Sequence, residues 1–246
     1  MDSRTAGAAV DHLTHVRAFT GMFAETLARA DPDARLPSSR SWTVTDLAAH
    51  LGGVHRWVVE IVRTGRRCGR DNRPALDRSP LDFYRGARAE LLDVFDATDP
   101  ERACWTLSRT DRRVGFWHRR QAHETLVHLW DLRAADDPKA GLDDVDPAVC
   151  ADGVDELHEV FIPRATPAER PELPGSVALV AADAARSWTV GPQWTFEPGT
   201  VGADVTVTAP AATLLLWVWD RPCAGVPQID GDHRVAVAFR KARVVP

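Results

Sequence analysis

Apolar residues recur at three- and four-residue steps through roughly the first 160 positions, then at two-residue steps, so the pattern predicts helices followed by strands. Val10, Leu13, Val16, Phe19, Met22, Phe23 and Leu27 mark an amphipathic helix from about Val10 to Ala30, ended by Asp31-Pro32-Asp33. Leu47, Leu51, Val54, Val58 and Ile61 stripe a second helix running to about Thr64, with Thr43 as N-cap and Asp46 completing an acidic capping box. Inside it Gly52-Gly53 costs helix stability, which implies a close approach by a neighbouring helix, a ligand or a substrate. Residues Gly65 to Arg78 are rich in Arg, Gly and Pro and read as a loop. Ser79-Pro80-Leu81-Asp82 opens a third helix with Ser at the N-cap and Pro at its first position, and Phe83, Ala87, Leu91, Leu92 and Phe95 face the core. A short extended piece, Ala103 to Leu107, precedes a fourth helix from about Val114 to Ala134, and Pro147 to Phe161 supplies a fifth.

Helices joined by short connections make an antiparallel bundle, expected over residues 1–162. Pro163, Pro167, Pro171 and Pro174 then crowd one stretch and mark a domain boundary. Beyond it, Val177–Val180, Ser187–Val190, Gln193–Phe196 and Val205–Thr208 are short β-branched or aromatic runs separated by Gly, Pro and Asp, the signature of an antiparallel sheet. An apolar helix headed by Pro210 (Ala211 to Trp219) and a last element near Arg234 to Val244 complete an α+β domain over 175–246. The fold expected is thus α+β in two domains, a four-helix bundle followed by a smaller α+β domain.

Composition narrows the function. A hydrophobic share of 44% in 246 residues fills real cores, and a net charge of -5 offers no basic field for nucleic acid or an anionic membrane. No apolar run approaches the ~18 residues of a membrane span, and the first residues lack the basic head and apolar core of a secretory signal. Cys68, Cys104, Cys150 and Cys223 form no Cys-x-x-Cys pair, which fits a reducing cytoplasm. The heavy excess of Arg over Lys, with Lys139 and Lys241 the only lysines, matches the bias of a GC-rich genome such as an actinobacterium's.

The densest chemistry lies between Phe116 and Asp131. Glu124 and His128, four apart, lie within about 40° of each other on a helix and can point at one object. His123 is five residues before His128, about 140° away, so the zinc-protease pattern of two histidines four apart is absent. Two ligands do not suffice, because a catalytic zinc usually takes three and keeps a fourth position open. In a bundle, metal sites are built from facing helices, which gives His50 a route to Glu124 and His128. Taken alone, His50 reads first as a hydrogen-bonded core histidine, and the tandem glycines with the downstream Glu124/His128 pair shift it toward a ligand. His12, His15, His55, His118, His158 and His233 carry no such constellation and read as structural.

Three segments together carry a resemblance: Trp42-Thr43-Val44-x-Asp46-Leu47-x-x-His50-Leu51-Gly52-Gly53, Arg120-x-x-His123-Glu124-x-x-x-His128-x-x-Asp131, and Leu214-Leu215-Leu216-Trp217-x-x-x-Arg221. In this order they resemble the mycothiol-dependent maleylpyruvate isomerase family over nearly the whole chain. The resemblance implies a DinB-like N-terminal bundle, a zinc triad of His50, Glu124 and His128, and mycothiol as a second cofactor. Zn²⁺ is not separable here from other divalent ions, since His and Glu serve them all. A thiol entering the open metal position would lose its proton and become the nucleophile, either to isomerise a cis double bond or to be transferred to an electrophile. Arg221 falls at the family's catalytic arginine, suited to neutralising a carboxylate or enolate. Asp131 and His123 are implied as partners of the ligands or of substrate, with Asp46 a comparable candidate beside His50. Arg120 and Trp117 are candidate cofactor contacts, although Trp117 and Trp130 read first as core or pocket wall. One departure is Leu129-Trp130 before Asp131, where the family pattern has an Arg-containing pair. The partners expected are a small electrophile and a low-molecular-weight thiol, in a cytoplasmic monomer or homodimer.

Overall fold

A computed structural model describes residues 10–71, 74–76, 78–222, 225–242 and 244–245, with only the backbone described at residue 40. Residues 72, 73 and 77 of the expected loop, Cys223, and residue 243 of the expected last element lie outside this set. The chain divides into two compact units, Met1–Leu36 with Ser41–Leu132, and Pro37–Arg40 with Arg133–Pro246.

The first unit is built on four helices whose starts follow from their caps. Asp11 accepts from the Thr14 amide and opens α1 (His12–Leu27), and a short hairpin, β1 (Arg35–Leu36) and β2 (Ser39–Thr43), follows. Thr43 and Asp46 form the expected capping box at α2 (Val44–Thr64), which ends on Gly65 in the left-handed conformation at φ 70°. Ser79 caps α3 (Pro80–Asp96) with Pro at its first turn, as expected. The fourth helix, α4, spans Val114–Asp136.

Packing in this unit is antiparallel where it can be followed pair by pair. Phe23 of α1 meets Tyr84 of α3 at 4.5 Å between ring centroids, while Arg17, one to two turns earlier, pairs with Asp96, more than three turns later. Against α4, residues 50, 55 and 57 of α2 meet residues 128, 121 and 117 in descending order. Gly52 is required by this packing, since a Cβ there would lie 2.6 Å from the Phe83 ring of α3. Gly53 admits the returning loop instead, because a Cβ there would lie 3.2 Å from Pro74 and 3.3 Å from the Asp71 carbonyl. The gap expected at the tandem glycines is therefore filled by a helix and a loop.

The second unit begins within α4. Asp146 caps α5 (Pro147–Glu156), which runs directly into a π-helical turn, Leu157–Phe161, and packs chiefly on α6 (Ala211–Val218). The Pro-rich stretch expected as a boundary lies inside this unit. Its sheet has the order β5-β4-β3-β6-β7, from β3 (Val177–Ala181), β4 (Arg186–Val190), β5 (Phe196–Pro198), β6 (Val205–Ala209) and β7 (Gln228–Gly231).

The sheet is mixed, which corrects the antiparallel expectation. β3 and β6 run parallel in the register Val177↔Val205 to Ala181↔Ala209, and the other pairs are antiparallel. A parallel pair needs a crossover, and here the β4–β5 hairpin arm supplies it. The run at Gln193–Phe196 is mostly turn, with Trp194 at φ 63° and β5 starting only at Phe196. The last helix, α7 (His233–Lys241), lays Phe239 flat on Trp217 of α6, 5.6 Å between centroids and 6° between planes. Within the same unit, Asp155 of α5 accepts from Trp188 Nε1 of β4 at 2.7 Å and pairs with Arg186. No helix among the described residues is long and apolar enough to cross a membrane.

Candidate metal centre

The capping box fixes where α2 starts, and so fixes the phase at which His50, seven residues after the N-cap, faces α4. α4 is buried on nearly every side, with Trp117, Ala122, Leu126, Leu129 and Trp130 all at 0% exposure. Its polar side chains are buried too: Arg120, Gln121, His123 and Asp131 are at most 3% exposed, and each must find compensation inside the protein.

Glu124 and His128 find it with His50. His128 Nε2 lies 3.5 Å, and His50 Nε2 3.7 Å, from the same oxygen, Glu124 Oε1. One ligand atom from each residue lies within 4.8 Å of the other two. These separations are longer than a normal N–H···O bond, about 2.7–3.2 Å. They approach the edge of a tetrahedron whose ligands sit about 2.0–2.1 Å from a central ion, an edge of about 3.4 Å. The three side chains keep 13–14% exposure, enough to leave the group reachable from solvent.

The surrounding charges hold Glu124 ionised and His50 neutral, as a metal requires, whereas they favour a proton on His128 that a bound ion would have to displace. Burial alone would raise Glu124, but the Arg120 guanidinium and the neighbouring His128 and His50 imidazoles hold its carboxyl well below the usual range. Arg120 Nη2 donates to Glu124 Oε2 at 2.5 Å, which leaves Oε1 for the imidazoles. Burial likewise opposes charge on His128, yet its bond to Asp131 and the neighbouring Glu124 carboxylate raise it, so a positive charge is accommodated at this position. His128 Nδ1 lies 2.9 Å from Asp131 Oδ2, which fixes the ring with Nε2 toward Glu124. His50 is lowered, chiefly by burial, and so presents a neutral imidazole. Its Nδ1 is buried without a hydrogen-bond partner among the described residues, and the Trp42 ring covers it at 4.8 Å. Two imidazole nitrogens and one carboxylate suit Zn²⁺ and related divalent ions.

The other expected site residues divide. Asp131 is in place behind His128. Arg120 serves Glu124. Trp117 is a core residue whose Nε1 donates to the Trp105 carbonyl at 2.9 Å and whose ring meets Trp57 edge-on at 5.3 Å. His123 is not brought to the triad; it is fully buried with its ring 6.0 Å from that of His12 in α1. Asp46 is taken up by the capping box, accepting from Thr43. Arg221 belongs to the second unit, where its Nη1 donates to the Trp219 carbonyl at 2.9 Å and where Arg240 and Lys241 share with it a cavity of about 540 Å³.

One neighbour of the triad was not anticipated. Arg70, from the loop after α2, places Nη2 3.4 Å from His50 Nε2. Nothing periodic marks a loop residue, and its neighbour Gly53 was the only local signal that the loop turns back.

Fold and site together define a two-domain α+β protein whose helical unit gathers His50, Glu124 and His128. Residues 13–133 match the family model described as the mycothiol maleylpyruvate isomerase N-terminal domain, and residues 148–238 match the MDMPI C-terminal domain. The chain belongs to the mycothiol-dependent maleylpyruvate isomerase family. No curated protein matches it in sequence. Among solved structures it is similar to that of a mycothiol-dependent maleylpyruvate isomerase, with TM-score 0.62 and 15% identity over 89% of this chain and 92% of that one. A histidine-to-alanine mutant described under the same name gives TM-score 0.58 and 15% identity over 84% and 87%. At that identity the likeness is one of fold.

Proposed function

We propose that the protein is a mycothiol-dependent metalloenzyme acting on a small electrophile, as a maleylpyruvate-type cis–trans isomerase or as a thiol S-transferase. His50, Glu124 and His128 would hold a divalent ion, Zn²⁺ by preference. The observation that carries this reading is the convergence of three ligand atoms on one point with the carboxylate held ionised. Membership of the family and the names of the two similar structures support the thiol and the substrate type.

The ion supplies, when bound, a positive charge beside which a thiol at the open position is deprotonated. The chain's own residues do the rest. Arg120 keeps Glu124 an anion, and Asp131 keeps the His128 ring turned so that Nε2 faces Glu124. Trp42 and the packed wall of α4 limit water around His50, which strengthens every charge interaction there. Arg221 is assigned to charge neutralisation on a substrate carboxylate or enolate, for which a planar, bidentate donor is suited. Cys68, Cys104 and Cys150 are free thiols, in keeping with the reducing cytoplasm we assign to the protein.

The test is elemental analysis of the purified protein, followed by turnover of maleylpyruvate with and without mycothiol. About one divalent ion per chain and isomerisation only with mycothiol support the isomerase, and a stable thiol adduct instead makes the protein a transferase. Failure of the protein to hold a divalent ion would overturn the metalloenzyme and leave a binding module.

A further inference from the structure

Arg70 stands out among the guanidinium groups around the centre by what it touches. Gly53 lets the loop after α2 fold back over the helix, with Asp71 and Pro74 against the glycine and Arg70 next to them in sequence. The Arg70 guanidinium lies 5.5 Å from the Trp57 ring centroid, and its Nη2 donates to His50 Nε2 at 3.4 Å. It is drawn partly out of water, and burial is the main influence lowering its pKa. Among the described residues, no carboxylate lies within ion-pair distance of it. Its direct contacts are an imidazole and an indole, neither of them an anion, while Glu124, whose charge acts on it through space, is engaged by Arg120 and Asp131 by His128.

The Nε2 lone pair that accepts from Arg70 is also the lone pair His50 has to offer a metal. It cannot serve both, so a bound ion leaves this guanidinium without its acceptor. The charges point the same way. The carboxylates of Glu124 and Asp131 balance the guanidiniums of Arg120 and Arg70, so a divalent ion leaves an excess of positive charge at a reachable site. Such a site favours an anion, and a planar fork resting on an aromatic ring suits a carboxylate.

We infer that Arg70 is a substrate-positioning residue, which binds the carboxylate of an anionic electrophile at the mouth of the His50–Glu124–His128 centre with Trp57 as its platform. The inference rests on the proposed metalloenzyme reading and narrows its substrate class to carboxylate-bearing electrophiles. A neutral electrophile gains nothing from Arg70.

The experiment compares wild type, Arg70→Met and Arg70→Lys, all in the full chain loaded with zinc. Calorimetry measures binding of maleate, and of its neutral counterpart dimethyl maleate, with zinc content and melting temperature recorded for each protein. Mycothiol-dependent turnover of both compounds is followed alongside. The expected result is at least a tenfold loss of maleate affinity in Arg70→Met, partial recovery in Arg70→Lys, and unchanged zinc content and dimethyl maleate turnover. Equal maleate affinity in wild type and Arg70→Met would overturn the inference. So would loss of zinc in Arg70→Met, which would make Arg70 a prop for the ligands instead. If the wild type holds no zinc and shows no thiol-dependent turnover, yet its maleate binding still depends on Arg70, the metalloenzyme reading fails and the anion site stands.

Discussion

Among the buried imidazoles of the same helical unit, His128 stands apart both from its fellow candidate ligand His50, which burial lowers, and from a structural set. His55 and His118 are lowered to about 4 by burial before any other influence. His55 is fully enclosed, with Nδ1 2.7 Å from Gln121 Oε1 and Nε2 3.4 Å from the Tyr84 hydroxyl, both neutral groups. His128 meets the same desolvation and is nevertheless raised, because Asp131 and Glu124 flank it. Depth of burial therefore does not distinguish a structural histidine from a ligand. The distinction lies in whether carboxylates have been buried with it, at a cost the fold offsets by pairing Glu124 with Arg120 and Asp131 with His128 itself.

The sharpest way to break this contrast is to remove that compensation. Arg120→Met leaves Glu124 in the interior without its guanidinium, and a loss of about 3–5 kcal/mol is expected from chemical denaturation. A loss below about 1 kcal/mol, the range of an exposed pair, would mean that Glu124 is not compensated by Arg120.

Acid should reveal the opposite set. A histidine whose pKa falls from 6.5 unfolded to about 4 folded contributes stability that is fully present above pH 6.5 and is lost as the pH falls to about 4. For His55 that amounts to about 3 kcal/mol across the window. Thermal unfolding followed from pH 7 to pH 4, with the His55 ring titrated by NMR, checks it. An ordinary titration near 6.5 would remove His55 from the structural set.

The smallest effect expected is at Asp131. Asp131→Asn keeps an acceptor for His128 Nδ1 but removes the charge, and divalent-ion affinity is expected to drop about 10- to 100-fold with the fold intact. An unchanged affinity would make Asp131 a packing residue.

Much of the frame was legible because local chemistry dictates it. Thr43 with Asp46, and Ser79 with Pro80, are short-range signals that act before any tertiary contact, and α2 and α3 begin where they indicate. The triad was legible for a related reason: a four-residue step on one helix fixes Glu124 beside His128, although His50 needed the bundle, and the resemblance, to join them.

What was not legible depends on partners distant in sequence. α4 carries no amphipathic stripe, because a helix enclosed on nearly all sides has no solvent face to contrast with its core. Its residue roles could only be sorted by their neighbours, which place Asp131 behind His128 but set His123 against His12 and Trp117 against Trp105. The parallel pairing of β3 with β6 is likewise a choice of topology that two strands with the same alternation do not announce. β7 (Gln228–Gly231) escaped because an edge strand of mostly polar residues has no apolar face to reveal it. Arg70 escaped because a loop has no period at all.

The central claim is that His50, Glu124 and His128 form one divalent-ion site, and the direct measurement is zinc stoichiometry by equilibrium dialysis of wild type and His128→Ala. The account predicts about one zinc per chain in the wild type and its loss in the variant at unchanged far-UV circular dichroism. Zinc retained at the same stoichiometry and affinity by the folded variant would contradict it.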